Sequence, residues 1–192
     1  MPRITPLDIN DLPVEVRKKL ESGEAHMGFK PNDGLTLARV PGLLEALASL
    51  TWALYGSDGL VPNELKRMVS IITSTAAGCT YCQSHTVHGA EMSGMDEQKI
   101  KALWQYETSP LFNDAERSVL RVAQGAGHAP VDITDAEFED MKKYYDDNQI
   151  CEIVSIIALF GFLNKWNATI ATDIEASPLS ALERLGSPMV VS

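Results

Sequence analysis

The chain has 192 residues, 45% hydrophobic and 22% charged, which is ordinary globular composition and favours no disordered, collagen-like or membrane-embedded class. A formal net charge of −10 excludes a nucleic-acid grip, which needs clustered Lys and Arg to displace counterions from phosphates. The opening MPRITPLDIN has neither the basic start nor the apolar stretch of an export signal, so a cytoplasmic chain forming one domain over residues 1–192 is expected.

Residues 14–22 form an amphipathic helix candidate, and a loop follows through Gly28, Pro31 and Gly34. Pro41 opens a second helix, where its missing amide costs little, and Gly56 and Gly59 end it. A third runs over residues 62–77 to a break at Gly78, and a fourth over residues 79–92 to Gly94. Asp96 caps a fifth over residues 97–106, and Asn113 precedes a sixth through residue 126. Thr134 followed by Glu137 has the form of a capping box, opening a seventh helix to about residue 145. The eighth, over residues 149–172, holds the most apolar run. Charged and amide residues interrupt that run before the roughly 20 residues of a membrane span, so it reads as a core helix and no membrane partner is expected. Pro178 begins a short terminal segment.

No stretch alternates apolar and polar residues with the period of two that a sheet requires, so the fold class is all-α. The core motif falls at about residues 41–127 and a second helical half at about 134–174. Val69-Ser70-Ile71-Ile72 recurs as Val154-Ser155-Ile156-Ile157, which raises the expectation of an internal two-helix repeat. Carried along that offset, Cys79 corresponds to Asn164, Cys82 to Asn167 and Arg67 to Glu152.

Gly78-Cys79-Thr80-Tyr81-Cys82-Gln83-Ser84-His85-Thr86-Val87-His88 is the dense cluster of reactive side chains. At about 100° per residue, Cys82 lies one turn along from Cys79 and about 60° around, near enough for a disulfide after modest adjustment. His85 is adjacent to Cys82. His88 falls on the opposite side of the helix from Cys79 and is a weaker supporting candidate. A cysteine at a helix N-terminus feels the positive end of the peptide dipoles, which favours Cys79 as thiolate. Ligands spaced three apart along one helix cannot surround a zinc ion, and no second Cys or His pair supplies the other side, so no metal is expected. The glycines match no phosphate or dinucleotide loop, so no cofactor is expected either.

At these residues, and above all over ELKRMVSIITSTAAGCTYCQSHTVHGAEM, the chain resembles the carboxymuconolactone decarboxylase and alkyl hydroperoxidase D superfamily, in its peroxidase-related branch. The resemblance extends through ALWQYETSPLFNDAERSVLRVA and EIVSIIALFGFLNKWN. It implies an alkyl hydroperoxidase D-like helical bundle assembled as a dimer, trimer or hexamer of identical chains. It also implies reduction of a hydroperoxide by a cysteine pair, with Cys82 attacked first, Cys79 resolving and His85 shuttling protons. A lipoyl-type or thioredoxin-like dithiol would restore the pair. The family pattern has a glutamate where this chain has Arg67, with Glu64 one turn earlier, and a histidine where it has Thr86. Arg67, Glu64 and Glu152 are therefore supporting candidates, Glu152 as a carboxylate arriving from the second half. The other readings are a non-catalytic oligomeric redox sensor or scaffold, and a cofactor-independent decarboxylase like the superfamily's namesake. Cys151 reads as a buried small hydrophobe; Trp52, Trp104, Trp166, Met68, Met92 and Met141 read as core and interface packing. His26 and His128 carry no assigned role.

Overall fold

The computed structural model describes residues 1–56 and 59–186, and every described element is helical. In chain order these are α1 (Val14–Met27), α2 (Asn32–Leu37), α3 (Leu43–Tyr55), α4 (Asn63–Ala76), α5 (Thr80–Met92) and α6 (Glu97–Ala102). After a 3-10 turn (Leu103–Gln105) come α7 (Asp114–Gly127), α8 (Asp135–Met141), α9 (Asp147–Ile170) and α10 (Ala176–Leu185).

Helix starts follow local chemistry. Asn113 with Glu116, Thr134 with Glu137, and Asp146 with Gln149 each form a reciprocal capping box, satisfying amides that have no partner inside the helix. At the α4–α5 junction Gly78 takes φ +67°, a left-handed conformation that costs a residue with a Cβ. The chain reverses there and leaves Cys79 as the N-cap of α5.

Helix α4 is the hub, packing on α5, α7 and α9, while α10 lies along α5. Met68, Val69 and Ile71 of α4, Leu120 of α7, and Ile153 and Ile156 of α9 are all completely buried in one cluster. At ~25 cal/mol per Å² of apolar surface, each such side chain contributes about 1.5–3 kcal/mol, which is what fixes this arrangement. By length and composition alone α9 passes for a membrane span, yet Ile150, Ile153, Ile156, Ile157 and Leu159 face this core.

Several expectations need correction. The first helix runs on to Met27 and stops at Gly28, again at positive φ. His26 therefore lies in a helix, and its side chain is outside the described residues. The loop through Pro31 contains α2, too short to show periodicity; it is held by buried Thr36 and Leu37 and by Trp166, whose indole N–H donates to Thr36 at 3.1 Å. The terminal segment includes α10, which buries Ala181, Leu182 and Leu185. The two-helix repeat finds no support. Val69 and Ser70 are buried but their twins Val154 and Ser155 are exposed, and α9 runs unbroken through the position where α4 ends. Cys151 is exposed beside Val154 and Ser155, not buried. Met68 and Met141 are core residues, whereas Trp52 is 77% exposed.

Candidate active site

The start of α5 is built around two free cysteines, 2% and 3% exposed, packed with Tyr81 against Leu163 and Ile174. As N-cap, Cys79 turns its Sγ back over the first turn, where it accepts the Cys82 amide N–H at 3.4 Å. Interaction with the Cys82 side chain, joined by its amide, holds the Cys79 pKa below the usual thiol value although burial opposes it. Burial first, and then the neighbouring sulfur, push Cys82 well above it. Cys79 is therefore the more acidic of the two sulfurs, in line with the helix-terminus argument.

His85 is held between two acceptors. Its Nδ1–H donates to the Tyr81 carbonyl at 2.8 Å, and Nε2 lies 2.8 Å from Glu175 Oε2. An acceptor facing each ring nitrogen favours the doubly protonated imidazolium. The Nε2–Glu175 contact is short but poorly aligned as a hydrogen bond, so it acts as a charge pair. Tyr81 stacks on the ring with centroids 4.0 Å apart, and Phe29 meets it edge-on at 5.2 Å. Burial alone would lower the His85 pKa; Glu175 and Asp33 more than offset this and raise it. Burial likewise opposes ionisation of Glu175, but His85 and the Asn32 amide hold its pKa down. Glu175 also accepts the Tyr81 phenol proton at 3.1 Å, and that phenol in turn accepts the Asp33 backbone N–H at 3.2 Å.

The third component comes from α2 and α9. Asn167 Nδ2 lies 3.3 Å from Asp33 Oδ2 and 3.6 Å from Cys82 Sγ, while Asn167 Oδ1 accepts the Thr172 hydroxyl at 2.7 Å. Burial pushes the Asp33 carboxyl above the usual range, only partly opposed by His85 and Asn167. Among the described residues, no group of three or more His, Cys, Asp or Glu side chains is arranged to hold a metal ion.

Of the candidates read from the sequence, Cys79, Cys82 and His85 come together; the supporting four do not join them. Arg67 lies over the Tyr55 ring at 4.7 Å and against Gly89, about 10 Å down α5 from Cys82. Glu64 pairs with Lys99 at 2.6 Å, not with Arg67. Glu152 is bound to Lys66 at 2.7 Å and lies about 22 Å along α9 from Asn167. His88 donates from Nε2 to the Met27 carbonyl at 3.2 Å, on the side of α5 away from Cys79. Thr86 bonds back to the Cys82 carbonyl at 2.8 Å. Sequence reasoning missed Glu175, Asp33 and the role of Asn167. The first two sit in segments without periodicity, and Asn167 was marked only by its correspondence to Cys82.

A family model for the carboxymuconolactone decarboxylase family matches residues 41–125. The chain is 28% identical over 116 residues to the uncharacterized protein YnjA of Escherichia coli K12, a match spanning 60% of this chain and 62% of that curated relative. The debrominase Bmp8 superposes with a TM-score of 0.88 at 35% identity, over 95% of this chain and 97% of that one. A cysteine-to-alanine variant of Bmp8, in complex with 2,3,4-tribromopyrrole, superposes equally well at 34% identity, over 95% and 96%. An alkylhydroperoxidase AhpD core protein of Ralstonia eutropha JMP134, described as peroxidase-related, gives 0.78 at 26% identity over 97% of each chain.

Proposed function

Because the chain belongs to the carboxymuconolactone decarboxylase family, within the alkyl hydroperoxidase D-like superfamily, we propose that it is a thiol-dependent reductase that delivers two electrons from Cys79 and Cys82 to a hydroperoxide. The observation that carries this reading is the Cys79 sulfur accepting the Cys82 amide N–H beside the Cys82 side chain, which lowers its pKa and favours the thiolate in a site where His85 faces Glu175.

The Cys82 proton passes to the neighbouring Cys79 thiolate, so Cys79 is the base that the missing family glutamate would have been. The Cys82 thiolate attacks the outer peroxide oxygen, and the S–O bond forms as the O–O bond breaks. The resulting sulfenic acid condenses with the Cys79 thiol to a disulfide and water. His85, with Nδ1 bonded to the Tyr81 carbonyl and Nε2 against the Glu175 carboxylate, acts as a positive charge near the pair. A lipoyl-type or thioredoxin-like dithiol returns the two electrons. The same reading takes the working form as a homo-oligomer, supported by the exposed Trp52, Leu50, Val154 and Phe162 on α3 and α9.

A second reading, reductive dehalogenation, is favoured by the higher identity to a debrominase than to the AhpD core protein. There the Cys82 thiolate takes a halogen from carbon, the carbon takes a proton, and Cys79 displaces halide to give the same disulfide. Peroxide consumption and bromide release from tribromopyrrole, both with dithiothreitol, test the two side by side. The wild type is expected to be active, with Cys79→Ser and Cys82→Ser each losing at least a hundredfold, on the order of an activated nucleophile's contribution. Equal rates in all three proteins would sink both readings and leave a non-catalytic sensor or scaffold.

A further inference from the structure

We propose that Asp33 is the acid that gives the departing half of the substrate its proton and is reloaded when the disulfide is reduced. The proposal rests on the two-cysteine reading above. Its ground is the position of one amide group: the same Asn167 nitrogen touches the Asp33 carboxyl and the Cys82 sulfur. In this orientation the amide oxygen accepts the Thr172 hydroxyl, which leaves the nitrogen to face both groups. Carboxyl oxygen and sulfur are thus no farther apart than two contacts laid end to end, a gap that a substrate held at Cys82 can bridge.

The alternatives among the groups facing this gap are committed elsewhere. From α5, the Tyr81 phenol donates to Glu175, and His85 is held by the Tyr81 carbonyl and Glu175. Glu175, at the start of α10, is an anion with no proton to give. From α9 only the uncharged Asn167 approaches. Cys79 is the more acidic sulfur and so the one that keeps a proton in reserve least well. Asp33 has no cation of its own, since His85 is already paired with Glu175, and a carboxyl in that position is favoured as the neutral acid. Burial holds its proton further. Both sulfurs and the Asp33 carboxyl are buried together, so the acid lies inside the closed site with the redox pair.

The balance closes. As Cys82 attacks a hydroperoxide, the alkoxide released takes the Asp33 proton and leaves as alcohol, and Asp33 becomes a carboxylate. Cys79 then forms the S–S bond as the S–O bond breaks, and the departing hydroxide takes the Cys79 proton to leave as water. The external dithiol reduces the disulfide, and its protons reload Asp33 and one thiol. For an aryl halide the Asp33 proton goes to carbon, Cys79 displaces halide from the Cys82 sulfur, and the Cys79 proton passes to the Asp33 carboxylate.

The test uses wild type, Asp33→Asn and Asp33→Glu with tert-butyl hydroperoxide and with 2,3,4-tribromopyrrole, against monobromobimane labelling of the same reduced proteins as a reaction needing no leaving-group proton. Wild-type turnover should fall on the alkaline side as Asp33 ionises. Asp33→Asn should lose about a hundredfold in turnover together with that alkaline limb, and label at least as fast as wild type; Asp33→Glu should regain the limb. Unchanged turnover in Asp33→Asn, or an equal loss in turnover and labelling, overturns the proposal. An inactive wild type would instead overturn the two-cysteine reading, and this one with it.

Discussion

Two buried ion pairs sit at opposite ends of α9, and their difference separates structure from chemistry. Lys66 and Glu152 are 3% and 8% exposed and 2.7 Å apart. Every strong valence is used: Glu152 accepts the Leu60 and Val61 amides at 2.8 Å, and Lys66 also donates to the Leu54 carbonyl. His85 and Glu175 are more exposed, at 17% and 10%, and lie at a similar distance with poorer alignment, against Tyr81, Asp33 and two thiols. A saturated pair in apolar surroundings holds a loop to a helix. A pair left imperfect among titratable groups sets their charges.

The largest effect should come from breaking the saturated pair. Glu152→Gln leaves the Lys66 ammonium uncompensated in the core, which costs about 3–5 kcal/mol. Thermal unfolding should show a large fall in Tm, while the pH at which the thiols of the folded protein label stays where it was. A shifted thiol profile would mean that Glu152 reaches the site after all.

Breaking the imperfect pair should do the reverse in kind and less in size. Glu175→Gln should cost about 1–3 kcal/mol near neutral pH and return His85 towards ordinary imidazole titration, visible by NMR. The signs follow from the directions of shift. His85, raised in the fold, contributes stability fully present below its ordinary value of 6.5 and lost as pH rises through its folded value. Glu175, depressed, contributes stability present above 4.5 and lost as pH falls through its folded value. The substitution should therefore flatten both limbs of the Tm–pH curve. It should also make Cys79 harder to label at neutral pH, because the nearby cation is gone.

The smallest effect should come from Glu64→Gln. That carboxylate is 47% exposed and shares Lys99 with Glu116, so the change should stay within about 0.5 kcal/mol in chemical denaturation. Thiol labelling should not move. A measurable change in labelling would restore the role that family resemblance suggests for this turn of α4.

Much of the fold was legible because it depends on neighbours in sequence. Asn113 and Thr134 announce their helices by capping chemistry, and Gly78 announces the reversal that makes Cys79 an N-cap. The α2 and α10 helices were less legible, being too short for a periodic signal and held by contacts from far along the chain. The same limit applied at the site. Cys79, Cys82 and His85 lie within two turns of one helix, so spacing alone groups them. Glu175 and Asp33 reach it across sequence separations that no local pattern records.

By itself, then, the amino-acid sequence determined an all-helical chain, a thiol pair at a helix start with Cys79 the more acidic, and a histidine beside it. These follow from helix geometry and the peptide dipole, which act over a few residues. Tertiary structure alone decided that the carboxylates come from α2 and the start of α10, that Arg67, Glu64 and Glu152 stand aside, and that Asn167 ties Asp33 to Cys82. The physical reason is that burial and charge pairing depend on which surfaces the hydrophobic core brings together, and that is a property of the packed whole.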